Sequence, residues 1–146
     1  KMKAHVLSLV FVWCIVQVLS VKFPEELIDD YIHECLEEHK LDKKVLDGYF
    51  DDSFRVVNLD DNGLKLTGCI VEKSNYYGPD GKFNKDVMTK DIEKWAKFLI
   101  KHEVEDYEAL AAKLQGNCEK VNGKDRVEQL INWNNCLAGE FELLKK

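Results

Sequence analysis

The distribution of apolar residues divides the chain into two unlike parts. Residues 6–19 form an almost unbroken apolar run near the N-terminus. From residue 24 onward, apolar residues recur at every third or fourth position instead, which is the period of an amphipathic helix. The clearest stripe is Met88, Ile92, Trp95 and Leu99, at i, i+4, i+7 and i+11. We therefore predict an all-α domain that follows a separate N-terminal segment.

The N-terminal apolar run predicts a secretory signal peptide. It follows a short basic start and ends at Ser20, a small residue near a plausible cleavage point. A transmembrane anchor is the alternative interpretation, but crossing a bilayer takes about 20 apolar residues, and this run has 14. We expect residues 1–20 to be removed and residues 21–146 to form a single secreted, extracellular domain.

The rest of the sequence predicts six helices joined by short loops. The expected segments are residues 24–40, 42–52, a third from 64 to about 73, then 85–101, 105–121 and 124–143. Residues 54–58 are expected to form an extended bridging stretch. Asn122 and Gly123 form a break between the last two helices. Because no long alternating pattern indicates a strand, the predicted fold class is all-α.

The charge of the chain excludes several classes of partner. Its formal net charge is −6, and without residues 1–20, which carry two of the 21 Lys and Arg residues and none of the 27 acidic residues, it becomes −8. An acidic domain of this kind has no basic face for nucleic acid. Its charge also disfavours binding to anionic membranes and favours solubility at high concentration.

Four cysteines remain once the leader is set aside: Cys35, Cys69, Cys118 and Cys136, whereas Cys14 would leave with the leader. In a small exported domain, four cysteines indicate two disulfides rather than reactive thiolates. The sequence alone allows three pairings.

Motifs of enzymes and metal sites are missing from the sequence. It contains no HExxH, no GxSxG, no phosphate loop and no GxGxxG. Residues 58–63, Asn-x-Asp-x-Asn-Gly, match the first half of a calcium loop, but the twelfth position is Cys69 where that loop needs a glutamate. We expect residues 60–62 to cap the third helix instead. The prediction is no catalytic residue, no cofactor and no metal.

The placement of the four remaining cysteines resembles the framework of insect odorant-binding proteins. That family has six helices and six cysteines, with three residues between the second and third and eight between each neighbouring pair of the last three. The four cysteines here match the first, third, fourth and sixth positions, which puts the second at Lys65 and the fifth at Val127. The family pairs its second cysteine with its fifth, so the two absent cysteines are partners. The pattern is similar to the Minus-C subgroup.

The resemblance implies a six-helix fold around an internal hydrophobic cavity, with disulfides Cys35–Cys69 and Cys118–Cys136. It implies a secreted carrier of small hydrophobic ligands such as odorants or pheromones, and not an enzyme. The expected partner is the ligand, with a membrane receptor as an optional partner downstream and no nucleic acid. The chain is expected to be a monomer or a weak homodimer.

Two alternatives stay open beside the odorant carrier. One is a carrier or scavenger of lipids or biogenic amines in saliva, haemolymph or reproductive fluid. A cationic amine would need carboxylates inside the pocket, whereas a neutral odorant would not. The other is a small interaction module with a filled core, which predicts no saturable binding of an apolar probe.

Ten residues are predicted to line the ligand pocket, which in a carrier binds by apolar contact with one or two polar anchors. A methionine adapts its shape to different ligands, and tyrosine hydroxyls bond a carbonyl or an alcohol. Phe141 and Leu144 are expected to fold over an entrance. The predicted wall residues are Tyr31, Tyr49, Phe54, Met88, Ile92, Trp95, Leu114, Leu130, Trp133 and Leu137.

Overall fold

A computed structural model describes residues 22–145, and it shows an all-helical domain. A short 3-10 turn, Glu25–Leu27, precedes six helices. These are α1 (Asp30–Glu38), α2 (Val45–Tyr49), α3 (Asp61–Lys73), α4 (Lys85–Leu99), α5 (Tyr107–Cys118) and α6 (Arg126–Leu144). Over residues 22–145 the chain forms two isolated antiparallel β-bridges but no β-strand. The six-helix, all-α prediction is confirmed, while the predicted leader lies outside the described residues.

The first two helices are shorter than the periodicity predicts. The chain is extended at Asp29, with φ −72° and ψ 162°, so the first predicted helix is split into the 3-10 turn and α1. The carboxylate of Asp29 binds Lys94 instead of capping the helix that follows it. The second helix ends at Tyr49 because Phe50 leaves it to form an antiparallel bridge with Val56. Both departures bring side chains to the site described below.

The last four helices begin at residues whose side chains accept a hydrogen bond from the first turn. Such caps satisfy backbone N–H groups that have no partner within the helix. The cap that the sequence predicts for α3 is confirmed, since Asp60 accepts from the backbone N–H of Gly63 at 2.8 Å. Equivalent caps on α4, α5 and α6 are provided by Asn84, Asp106 and Asp125.

The core consists of two clusters of buried residues. The first cluster lies among α1, α2 and α3, and the second lies mainly among α4, α5 and α6. The disulfide Cys35–Cys69 ties α1 to α3 in the first cluster, and Cys118–Cys136 ties α5 to α6 beside the second. These are the pairs that the family resemblance implies. Among the described residues, no helix has both the length and the apolar character needed to cross a membrane.

Candidate ligand-binding site

A cavity of about 140 Å³ is lined by residues from both clusters. Its walls come from the segment before α1, from α1, α3, α4 and α6, and from the loops between α2 and α3 and between α3 and α4. A dry cavity of about 150 Å³ in another protein holds benzene, so this one accommodates a single ring or a short chain. The lining residues are Phe23, Leu27, Asp29, Tyr31, Ile32, Phe50, Ser53, Phe54, Val56, Thr67, Ile70, Tyr76, Asp91, Trp95, Leu99, Leu130, Ile131, Trp133, Asn134, Leu137, Ala138 and Phe141.

Six of the ten predicted wall residues lie around this cavity, and four do not. The six are Tyr31, Phe54, Trp95, Leu130, Trp133 and Leu137. Met88, Ile92 and Leu114 belong to the second cluster, where all three are almost completely buried. The helical stripe thus marks the buried face of α4 correctly, but part of that face packs against protein and part faces the cavity.

Tyr49, the fourth residue outside the cavity, packs in the first cluster and supports the start of α3. Its hydroxyl donates a hydrogen bond to Asp60 Oδ1 at 2.8 Å. Burial and this bond raise the pKa of Tyr49 to about 12. The bonds from Gly63 N–H and from Tyr49 hold the pKa of Asp60 below its usual range. A Cβ at Gly63 would lie 3.1 Å from the Tyr49 ring, so the first turn of α3 packs closely here.

One part of the cavity wall, which we call the aromatic end, consists of Phe23, Phe50, Phe54 and Trp95. The ring centroids of Phe23 and Phe50 are 4.8 Å apart, and those of Phe54 and Trp95 are 5.5 Å apart in an edge-to-face arrangement. Phe23 also lies edge-on to Trp95 at 6.0 Å. Such contacts are favourable beyond the area they bury. The backbone N–H of Phe23 donates to Asp47 Oδ1 at 2.7 Å, which fixes the segment before α1.

Phe54 reaches the aromatic end through an unusual backbone conformation. Its φ is 62°, which is uncommon for a bulky residue. Two asparagines of α6 hold this loop in place. Asn134 Nδ2 donates to the carbonyl of Phe54 at 2.9 Å, and Asn135 Oδ1 accepts from the N–H of Val56 at 2.8 Å. Local bonds from the N–H groups of Ser53 and Arg55 to Asp51 Oδ1 shape the same loop, and the two asparagines attach it to α6.

The C-terminal part of α6 closes the same side of the cavity. Phe141 is buried within the helix and lines the cavity, rather than folding over an entrance from a tail as the sequence suggested. Leu144 packs against the second cluster. Glu142 accepts hydrogen bonds from the Ser53 hydroxyl and, at 2.6 Å, from Arg55. These two bonds lower the pKa of Glu142 and attach the Phe54 loop to the end of α6.

Another part of the cavity wall consists of hydroxyl and charged groups, and we call it the polar end. It is formed by Tyr31, Tyr76, Asp91, Asp29 and Lys94. The hydroxyls of Tyr31 and Tyr76 are 2.7 Å apart, and Tyr76 donates to Asp91 Oδ2 at 2.7 Å. Lys94 Nζ lies 2.5 Å from Asp29 Oδ1 and 3.6 Å from Asp91 Oδ1. All of these residues except Lys94 line the cavity.

Burial dominates the electrostatics of the polar end. It raises the pKa of Asp91, while the bond from Tyr76 and the charge of Lys94 act in the opposite direction. It also raises the pKa of Tyr31 and of Tyr76 far above the ordinary range, and the charge of Asp91 adds to both shifts. Both phenols therefore keep their protons across the pH range in which proteins fold.

Three residues of the polar end line the cavity but were absent from the predicted wall: Asp29, Tyr76 and Asp91. A signal for Asp91 exists in the sequence, because it lies three residues after Met88 and four before Trp95. That spacing places a carboxylate inside the apolar stripe of α4. The sequence contains no comparable signal for Asp29, which reads as an ordinary acidic residue near a helix start.

The geometry defines a class of protein: a small helical domain, held by two disulfides, whose helices and loops line an apolar cavity with polar groups at one end. A comparison with family models identifies a match to the PBP/GOBP family over residues 21–140. The chain therefore belongs to this family of odorant- and pheromone-binding proteins, which are typically secreted and act as carriers of small hydrophobic ligands rather than as enzymes. Neither the curated proteins nor the solved structures contain a significant match.

Proposed function

We propose that this protein carries small apolar molecules of the odorant or pheromone type in the cavity between its two clusters. The observation that supports this proposal is a cavity of about 140 Å³ with four aromatic side chains at one end. Binding is reversible: the ligand leaves water, and the gain is about 25 cal/mol for each Å² of apolar surface removed from it. No covalent step is involved.

The test is a titration of the secreted protein with a fluorescent apolar probe, followed by competition with volatiles, fatty acids and biogenic amines. We expect saturable binding that volatiles displace. Leu137→Trp fills the cavity and should abolish binding, whereas Leu143→Trp, at a position that is 63% exposed, should leave it unchanged. A folded protein that does not bind the probe, or equal binding by the two variants, would rule the proposal out.

Biogenic amines are a second candidate class of ligand, favoured by one observation. The cavity wall includes the carboxylates of Asp29 and Asp91, and a cationic amine needs such a partner inside the pocket. Displacement of the probe by amines and not by neutral volatiles would favour a scavenger or carrier of amines. Displacement by fatty acids alone would favour a lipid carrier.

Secretion is part of the same proposal. Residues 1–20 would direct export and be removed, and the two disulfides are of the kind that persists in an oxidising compartment. The carrier would act as a monomer or weak homodimer and deliver its ligand to a membrane receptor. Expression in a secreting host, with N-terminal sequencing and sedimentation of the product, tests this. Retention of residues 1–20, or a tight oligomer, would contradict it.

We also propose that the chain is a Minus-C member, in which Lys65 and Val127 stand where a third disulfide is lost. This assignment is supported by the closeness of α3 and α6 there. A Cβ at Gly68, one turn after Lys65, would lie 4.0 Å from Val127 Cγ2. Lys65→Cys with Val127→Cys should crosslink and stabilise the fold by up to about 4 kcal/mol. The Ser/Ser pair is the control, and two free thiols in the Cys/Cys variant would show that the register is wrong.

A further inference from the structure

The direction of each hydrogen bond at the polar end follows from counting protons. A phenol has one proton to donate, and that of Tyr76 lies on the bond to Asp91 Oδ2. In the 2.7 Å contact between the two hydroxyls, Tyr76 can then only accept, so Tyr31 is the donor. Both phenolic protons therefore point along one chain of bonds that ends at the Asp91 carboxylate.

These bonds leave acceptors, and no free donor, at the polar end of the cavity. The Tyr31 oxygen keeps its lone pairs but has its proton engaged by Tyr76. The carboxylates of Asp29 and Asp91 accept only, when ionised. The ammonium of Lys94 is the cation of this group, and it is held 2.5 Å from Asp29, outside the cavity lining.

The net charge of the polar end also favours a head group that donates hydrogen bonds. Two carboxylates and one ammonium leave one negative charge in excess when Asp29 and Asp91 are ionised. The Asp91 carboxylate is largely shielded from water, its side chain being 13% exposed, so its charge is felt strongly within the cavity. An anionic head group is repelled there, and a protonated amine is attracted.

We propose that the cavity selects small apolar molecules whose head group donates a hydrogen bond, an alcohol or a protonated primary amine, over carbonyl compounds and carboxylates of the same size. This rests on the proposed function, since it assigns a ligand class to the same cavity. A carbonyl oxygen placed at Tyr31 meets another acceptor. It gains a proton only if Tyr31 turns away from Tyr76 and breaks the chain of bonds, and buried polar groups without partners are strongly disfavoured.

The size of the cavity suggests a matched set of probes with one ring each: benzyl alcohol, benzylamine, benzaldehyde, benzoate and toluene. Affinities are measured by calorimetry on the protein secreted from the full chain, at about pH 8, far above the ordinary pKa of an aspartate. We expect benzyl alcohol, benzylamine or both to bind at least about tenfold more tightly than benzaldehyde, which corresponds to about 1.4 kcal/mol. Benzoate should bind most weakly.

The possible results distinguish the inference about the head group from the proposed carrier function. A preference for benzylamine would identify amines as the ligand source, and a preference for benzyl alcohol would identify neutral alcohols; either supports the inference. Benzaldehyde or toluene binding as tightly as the best donor would overturn the inference while leaving an apolar carrier. Failure of all five to bind, together with the apolar probe, would remove the proposed function itself.

A variant tests the assigned role of Tyr31. Tyr31→Phe keeps the ring but removes one acceptor and leaves the carboxylates of Asp29 and Asp91. The ratio of the benzaldehyde dissociation constant to that of the tighter-binding donor, benzyl alcohol or benzylamine, should therefore fall below the wild-type value. Tyr107→Phe removes a phenol from outside the cavity and should keep the wild-type ratio. An unchanged ratio in folded Tyr31→Phe would contradict the inference, and the wild-type ratio remains a test if this variant does not fold.

Discussion

The aromatic end and the polar end of the cavity use opposite chemistry. The aromatic end consists of four rings in edge-on or tilted contact, whereas the polar end joins two phenols to two carboxylates and a lysine. Rings bury apolar surface on any small guest, so they provide affinity with little regard for its head group. A few fixed polar atoms add little to affinity for an average guest but discriminate sharply between head groups.

The two ends share α4, which carries both Asp91 and Trp95, but their other supports differ. Asn134 and Asn135 of α6 fix the loop that carries Phe54 at the aromatic end. At the polar end, Tyr31 lies on α1 one turn before Cys35, whose disulfide ties this helix to α3. Because these other supports are separate, substitutions can disturb one end and leave the other intact.

The largest effect is expected from removing the disulfides one at a time. Loss of Cys35–Cys69, with a sequence separation of 34, should lower the free energy of unfolding by about 4 kcal/mol. Loss of Cys118–Cys136, with a separation of 18, should lower it by about 3 kcal/mol. Only the first should also reduce the preference for donor head groups, because it loosens the helix that carries Tyr31. Both effects are measured on variants in which the two cysteines of one disulfide are replaced by alanine. Urea unfolding gives the loss of stability, and the ratio of the benzaldehyde to the benzyl alcohol dissociation constant gives the preference.

If removal of Cys118–Cys136 changed that ratio as much as removal of Cys35–Cys69, the two ends would not be supported separately. Each variant is compared at a temperature where circular dichroism shows it to be folded, so that unfolding is not mistaken for lost discrimination.

Trp95→Ala should weaken the binding of every one-ring probe by about 1–3 kcal/mol, because it removes apolar contact surface at the aromatic end. The ratio between benzyl alcohol and benzaldehyde should not change. Phe98→Ala, on the same helix but outside the cavity lining, is the matched control and should retain wild-type affinity. A loss confined to alcohols and amines would mean that Trp95 acts at the polar end, and the division into two ends would fail.

The smallest effect is a difference in pH dependence between two aspartates. Burial raises the pKa of Asp91, so its contribution to stability is fully present below the ordinary aspartate pKa and is lost as the pH rises through the raised value. The melting temperature of the wild type should therefore fall relative to that of Asp91→Asn as the pH rises above about 4, the ordinary pKa of an aspartate.

Asp60 at the start of α3 provides the opposite case. Its pKa is lowered by the bonds from Gly63 and Tyr49, so its contribution is present above the ordinary value and is lost as the pH falls through the lowered one. The melting temperature of Asp60→Asn should be lower than that of the wild type at neutral pH, and this difference should shrink as the pH falls below about 4. Parallel pH trends for the two variants would show that their environments do not differ in the way described.

Periodicity and cysteine placement are sufficient to predict the all-helical fold, and the family resemblance implies the disulfide pairs. They do not distinguish a buried residue that packs against protein from one that faces a hollow. Met88 and Trp95 lie on the same stripe of α4, yet Met88 is within the second cluster and Trp95 is at the cavity. The difference depends on what the neighbouring helices bring opposite each position.

The contacts of the polar end are even harder to predict from the sequence. The hydroxyls of Tyr31 and Tyr76 meet across 45 positions of sequence, and Asn134 fixes Phe54 across 80. Contacts of this range have no local pattern. Asp91 is the exception, because a carboxylate inside an apolar helical stripe can be recognised before the fold is known.

A crystal structure of the protein with benzyl alcohol would show directly whether the two ends of the cavity bind the two ends of one ligand. We expect the ring of the ligand to lie against Phe54 and Trp95, and its hydroxyl to lie within about 3 Å of the Tyr31 oxygen. Benzyl alcohol bound elsewhere, such as the open groove beside Arg55, Asn135 and Glu142, or bound with its hydroxyl turned away from Tyr31, would contradict this expectation.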